Sequence, residues 1–224
     1  MKTLIVATRN HHKTGEIRAI LGGSFRFFTL NDFPDAPKVM EDADTFAGNA
    51  AKKATKLARW LATDQTHGQR LNASLDYVLA DDSGLEVDAL NGAPGVHSAR
   101  FAALEKSDNA PDADNNAKLL RLLQTVPMEK RTARFRCVLA LAEIFPSPGM
   151  AHPQLFDGTC EGRIQFGASG ANGFGYDPLF VPEGFSQSFA ELGEEVKNRL
   201  SHRAKALAKL QAFSPYANRP AAIS

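Results

Sequence analysis

Tyr77-Val78-Leu79-Ala80-Asp81-Asp82-Ser83-Gly84-Leu85-Glu86-Val87-Asp88-Ala89-Leu90 is the stretch that decides the fold class. Tyr77 to Ala80 is a short apolar strand that runs straight into two carboxylates. Beyond Gly84, Leu85, Val87 and Ala89 alternate with Glu86, Asp88 and Leu90, as a half-buried strand does. Ser83-Gly84 reads as a turn between the two parts, so a bent or hairpin pair of strands is expected. That turn matters for chemistry as well. Successive side chains on a strand point to opposite faces, so Asp81 and Asp82 face one site only if the chain turns there.

Working outward, Thr3 to Ala7 reads as a buried strand and Lys13 to Leu21 as a helix with Ile17, Ile20 and Leu21 on one face. Phe46, Ala50, Ala54, Leu57 and Leu61 keep helical spacing, with Thr45 placed to cap the helix. Lys52, Lys53, Lys56 and Arg59 are expected away from that apolar stripe. Thr63 to Asp76 is polar and reads as an exposed loop, and Asn91 to Gly95 as a turn. A helix from Asn115 to Leu123, strands at Arg134 to Glu143, Cys160 to Phe166 and Leu179 to Val181, and helices after Ser188 complete the chain. Helices and strands interleave without an even β-α repeat, which predicts an α/β fold on a mixed sheet. The 224 residues suffice for one large domain, 1–224.

Composition excludes several classes. The formal net charge is +1, so no global field holds the chain on nucleic acid, and a polyphosphate has to be met by local cations. Leu4 to Ala7 is too short an apolar run for a signal-peptide core, and no segment is long enough to span a bilayer. A cytoplasmic location is the default expectation. Cys137 and Cys160 lack the spacing of a zinc pair or a redox motif and read as buried free thiols.

Four constellations carry chemistry. Thr8-Arg9-Asn10-His11-His12-Lys13 leaves a strand and opens a helix, where free amides and the helix dipole favour an anion; Arg9 and Lys13 add charge. By itself such a loop is more often plain scaffolding, and His11 and His12 read as surface residues. Asp81 and Asp82, with Glu41 and Asp42 ahead of the basic helix, are hard oxygen ligands of the kind magnesium takes alongside phosphate. Their bland reading is a pair of turn caps. In Gly173-Phe174-Gly175-Tyr176-Asp177-Pro178 two rings and a carboxylate stand between glycines; the rings can stack on a planar base while Asp177 and backbone amides read its edge. Lys197, His202 and Arg203 gather near a helix start that Ser201 can cap, although charges on a helix are usually a solvated face.

Taken jointly, these stretches, with Thr45 to Ala54, Gly92 to Arg100 and Lys197 to Arg203, run in one order across nearly the whole chain. The chain resembles the inosine triphosphate pyrophosphatase family, the RdgB-like dITP/XTP pyrophosphatases that remove deaminated purine nucleotides. The resemblance implies an elongated central sheet flanked by helices, with two lobes and the active site in the cleft between them. It implies hydrolysis of ITP, dITP and XTP to the monophosphate and pyrophosphate, with Mg2+ as cofactor and a homodimer as the assembly. Asp82 would be the catalytic carboxylate and, with Glu41, a metal ligand. Thr8, Arg9, Asn10, His11, His12, Lys13 and Lys53 would hold the triphosphate, and Ser83 would touch the substrate. Phe174, Gly175, Tyr176 and Asp177 would form the base and sugar slot, with Lys197, His202 and Arg203 facing the 6-keto edge and the phosphates. Departures from the family pattern are Met40 where a second glutamate is common, Arg9 for a small residue, and Asn172 for a glycine. A pyrophosphatase of other base preference would lack Ser201-His202-Arg203, and a non-catalytic nucleotide sensor would be expected to lose Asp81-Asp82.

Overall fold

The computed structural model describes residues 2–63, 76–103, 109–144 and 152–213. Six strands form one sheet in the order β2-β1-β3-β4-β5-β6. They are β1 (Lys2–Val6), β2 (Phe25–Thr29), β3 (Asp76–Val87), β4 (Thr132–Glu143), β5 (Gln154–Ile164) and β6 (Phe180–Pro182). β1 is parallel to both β2 and β3, and the rest of the sheet is antiparallel. The helices are α1 (His11–Leu21), α2 (Phe46–Thr63), α3 (Asp112–Leu122), α4 (Phe189–Leu200) and α5 (His202–Ala212), and a 3-10 segment spans Gly95–Ala103. The mixed α/β sheet is as expected. Among the described residues no helix is long and apolar enough to cross a membrane. The interior of the expected loop Thr63 to Asp76 lies outside the described residues.

One expectation is corrected. Tyr77 to Val87 is not a hairpin or a bent pair: β3 is a single strand, paired to β4 without a break from Tyr77↔Glu143 to Val87↔Ala133. Ser83-Gly84 makes no turn because both residues sit inside that ladder, opposite Cys137 and Arg136. Asp81 and Asp82 therefore do point to opposite faces of the sheet.

Each face has its own cover. Val78 and Ala80 face α2, against Ala50, Ala54, Leu57 and Leu61. Tyr77 and Leu79 face the other way, against Ile17 and Leu21 of α1 and Leu207 and Leu210 of α5. Further along β3, Leu85 and Val87 join a third core with Phe101, Leu119, Tyr176 and Phe189. The long strands β3 and β4 thus run through two lobes, and the carboxylates fall where the cover changes. β1 ends at Val6, whereas β3 continues for eight more residues past its last β1 partner, Leu79. That leaves one side of β3 open. The loop after β1 lies between the parallel neighbours β2 and β3, a switch point of the kind where α/β sheets bind ligands.

α5 lies so close to β5 that only glycine fits between them. A Cβ on Gly158 would come within 2.0 Å of the His202 carbonyl and 2.6 Å of the Ala206 nitrogen. Both obstacles are backbone, so neither can swing aside. Gly158→Ala is expected to lower stability by about 1–3 kcal/mol, the usual result of overpacking. Thermal unfolding followed by circular dichroism checks this, and an unchanged midpoint would refute the close approach.

Candidate active site

α1 begins where β1 ends. Asn10 caps it, its Oδ1 accepting the Lys13 amide at 3.1 Å, and the Thr8 hydroxyl accepts the Asn10 amide at 3.1 Å. No acidic residue stands in the first turn, so the dipole of this end and the amides that the Asn10 cap leaves over favour an anion. Arg9, His11 and His12 are exposed around it. Lys13 reaches inward to Asp81 Oδ1 at 2.5 Å.

On the α1 side of the sheet Asp81 anchors a buried ionic network. Its carboxylate accepts from Lys13, from Arg203 Nε at 2.9 Å, from Ser83 Oγ at 2.9 Å and from Cys137 Sγ at 3.3 Å. Arg203 also donates to Ser83 Oγ at 2.9 Å and pairs with Glu16. Glu16 in turn holds Lys197 at 2.8 Å, and Lys197 holds Asp177 at 2.5 Å. Three cations and three carboxylates alternate through the lobe junction. Burial pushes the Asp81 carboxyl up, but Arg203 and Lys13 outweigh it and hold the group well below the usual carboxylate range. Glu16 is likewise lowered, with burial outweighed by Arg203 and Lys197.

On the α2 side Asp82 meets a different set. Lys53 is not on the solvated face of α2 as expected; it is 9% exposed, on the inner stripe with Asn49 and Ala50. Its ammonium donates to the Asp81 carbonyl at 2.7 Å, to Glu41 Oε2 at 3.1 Å and to Asp82 Oδ1 at 3.2 Å. Those three acceptors use all three of its donors. Asn49 Nδ2 donates to Asp82 Oδ2 at 3.2 Å, while its Oδ1 accepts the Ala43 amide at 2.9 Å. Burial raises the Asp82 carboxyl to about 6 against the pull of Lys53 and Lys13, with Glu41 adding to the rise. Two carboxylates that converge on one cation suit a divalent metal that completes its shell with phosphate and water. Glu41 and Asp82 therefore fit such an ion. Asp42 points elsewhere and pairs with Lys52 at the surface. Among the described residues no group of three or more metal-ligating side chains is found.

A cleft of about 160 Å³ opens between the lobes, lined by Asn10, Lys13, Ser83, Phe174, His202 and Arg203 among others. His202 is stacked on Phe135 with centroids 4.8 Å apart. Burial, with Arg203 and Lys197 nearby, holds its imidazole well below its ordinary value, so it is neutral. Among the described residues its Nδ1 is buried without a hydrogen-bond partner.

The glycine loop offers one ring face, not two. Tyr176 is 4% exposed in the third core, with its hydroxyl donating to the Ser98 carbonyl at 2.9 Å. Phe174 alone presents a ring, covered by His12 with centroids 5.1 Å apart and by the Lys197 ammonium at 4.3 Å. Asp177, expected to read the edge of the base, has its Oδ2 accepting the Phe174 amide at 2.8 Å and Lys197 at 2.5 Å. Gly175 connects the two residues, and its amide is held by Asp112 at 2.7 Å.

The structure thus gathers Asn10, Lys13, Ser83, Phe174, Gly175, Tyr176, Asp177, Lys197, His202 and Arg203 around one cleft, with Asp82, Lys53 and Glu41 clustered on the opposite face of β3. Sequence reasoning missed Glu16 and Asn49. The signal for Asn49 was its i,i+4 spacing to Lys53 on one helix face, and for Glu16 its i,i+3 spacing to Lys13.

A sequence profile of the Ham1 family matches residues 4–213. A dITP/XTP pyrophosphatase of Shouchella clausii is 46% identical over 211 residues, covering 94% of this chain and 96% of that protein. One of Geobacter sulfurreducens is 48% identical over 212 residues, with 94% and 96% covered. The solved structure of a HAM1 protein from Coxiella burnetii superposes with a TM-score of 0.77 at 35% identity, covering 95% of this chain and 98% of that one.

Proposed function

The chain belongs to the Ham1 family, and from that premise we infer how its cleft works as a nucleoside triphosphate pyrophosphatase. It hydrolyses non-standard purine nucleoside triphosphates of the dITP/XTP type. The observation that carries the reading is the convergence of Glu41 and Asp82 on Lys53, within electrostatic reach of Lys13 at the anion-favouring end of α1.

The reaction adds water at the α-phosphorus: a bond forms from the water oxygen to that phosphorus, and the bond to the bridging oxygen of the β-phosphate breaks. The products are a nucleoside monophosphate and pyrophosphate. Asp82 accepts the proton of the water, and a carboxyl raised to about 6 is well matched to that role near neutral pH. Mg2+, held by Glu41 and Asp82, would supply neutralisation of phosphate charge when bound. Lys53 keeps the two carboxylates converged, with all its donors on protein acceptors. Asn10, Lys13 and the first-turn amides of α1 meet the phosphates, with Arg9, His11 and His12 around them. Phe174 stacks on the purine. Neutral His202 lines the base wall with an unpaired nitrogen, so a base that pairs with this wall is favoured over one that leaves buried groups unpaired. One domain, 1–224, acting as a homodimer in the cytoplasm, is part of this reading and is supported by the family resemblance.

The test is product analysis by ion-exchange chromatography after incubation with magnesium and either ITP or GTP. IMP and pyrophosphate from ITP, with GTP barely touched, is the expected result. IDP with free phosphate would place the attack at the γ-phosphorus, and no turnover of either would favour a nucleotide sensor.

A further inference from the structure

We propose that α3 is the positioning element of the base wall, with Asp112 and Asn116 setting the direction of Phe174 by fixing the backbone of Gly175. The inference rests on the purine-site reading of the cleft. Gly175 has φ +64, a conformation that disfavours other residues. Crowding at the Cβ position does not hold that conformation, since a Cβ built there would meet nothing within 4 Å among the described residues. Hydrogen bonds from α3 do. The peptide plane before Gly175 is held by its amide donating to Asp112 Oδ2 at 2.7 Å, and the plane after it by its carbonyl accepting from Asn116 Nδ2 at 3.0 Å. Holding both planes leaves no free torsion at the one loop residue that separates Phe174 from Tyr176.

The same helix grips the other wall. Asn115 Oδ1 accepts the Ala102 amide at 2.8 Å and its Nδ2 donates to the Ala99 carbonyl at 3.3 Å, while Lys118 donates to the Phe101 carbonyl at 2.6 Å. α3 therefore spaces the glycine loop against the 3-10 segment, and Tyr176 closes the link through Ser98. Among the described residues Asn116 Oδ1 is buried with no partner, a cost that the donor to Gly175 explains. Neither Asp112 nor Asn116 belongs to the set of residues assigned to substrate above.

Steady-state kinetics with ITP on Asp112→Ala, Asp112→Asn and Asn116→Leu test the assignment. Losing one hydrogen bond to the loop is expected to raise KM about tenfold in Asp112→Ala and Asn116→Leu, with kcat changed by less than about threefold. Asp112→Asn still offers an acceptor and is expected to restore KM to within about threefold of the parent. Amide hydrogen exchange of residues 173–177 in the substrate-free proteins gives a readout independent of turnover: it should quicken in Asp112→Ala and not in Asp112→Asn. Unchanged exchange in Asp112→Ala, or an Asp112→Asn protein as impaired as Asp112→Ala, would overturn the proposal. A parent protein that leaves ITP intact would refute the nucleotide reading instead, while the exchange comparison would still judge α3.

Discussion

Asp82→Asn is expected to lower turnover of ITP by at least about 10²-fold, the scale of a lost general base, while the protein melts no lower than its parent. The substitution keeps the shape of the side chain and leaves Lys53 its bonds to Glu41 and to the Asp81 carbonyl. It also removes one of two neighbouring carboxylates, the buried Asp82 and the exposed Glu41, whose mutual repulsion helps to raise Asp82. Loss of that repulsion offsets the loss of the Lys53 pair, so the fold is spared where the chemistry is not. Initial rates with magnesium and ITP, set beside a thermal melt, separate the two effects. A variant as active as the parent would remove Asp82 from the reaction.

Arg203→Leu should act in the opposite sense, on the fold first. Arg203 is 1% exposed and stands between Asp81 and Glu16, which it leaves buried and under-compensated when removed. Breaking one partner out of a buried ion pair costs about 3–5 kcal/mol. For a chain of this size that corresponds to a fall in melting temperature of roughly 6–20 °C. The pH dependence follows from the direction of the shifts. Asp81 and Glu16 are both depressed in the folded protein, so they bind fewer protons there than in the unfolded chain near its carboxylate values, about 4. Their contribution is full above about pH 4 and is lost as the pH falls through the folded values. The parent should therefore lose melting temperature on acidification below about pH 4 more steeply than Arg203→Leu, whose Asp81 has lost that stabilisation. Parallel acid limbs for the two proteins would mean that Arg203 does not hold the carboxylates down.

The sheet class was legible because it rests on hydrophobic pattern, which local sequence carries. Tyr77 to Ala80 and Leu85 to Leu90 both read as strand, and the second stops short at Val87, where Asp88–Leu90 turn into a 3-10 segment. The continuity between the two stays hidden, since it depends on a partner, β4, 46 to 66 residues away in sequence. β2 escaped notice because Phe25 to Thr29 is a run of mixed burial between a glycine pair and a turn. The site residues were legible as types and less so as orientations. Lys53 looked solvated because lysines usually are, and only its carboxylate partners from two other segments make its inner position tolerable. Tyr176 looked like a stacking ring, yet its hydroxyl found a carbonyl on the 3-10 segment and its ring joined the core. The buried thiols Cys137 and Cys160 were read correctly, for apolar strands on a covered face leave little else.

The open side of β3 has a consequence for how copies of this chain meet one another. A strand that outlasts its neighbour normally presents a row of amides and carbonyls on which another polypeptide can assemble, the usual seed of aggregation. Here four backbone groups along that margin are taken up by side chains and a turn. Lys53 covers the Asp81 carbonyl and the Ser98 hydroxyl covers the Leu85 amide. The Val87 amide and carbonyl are taken by Ala93 and Gly92. The sheet can thus end early to make room for a nucleotide without offering that gap as a template for a foreign strand.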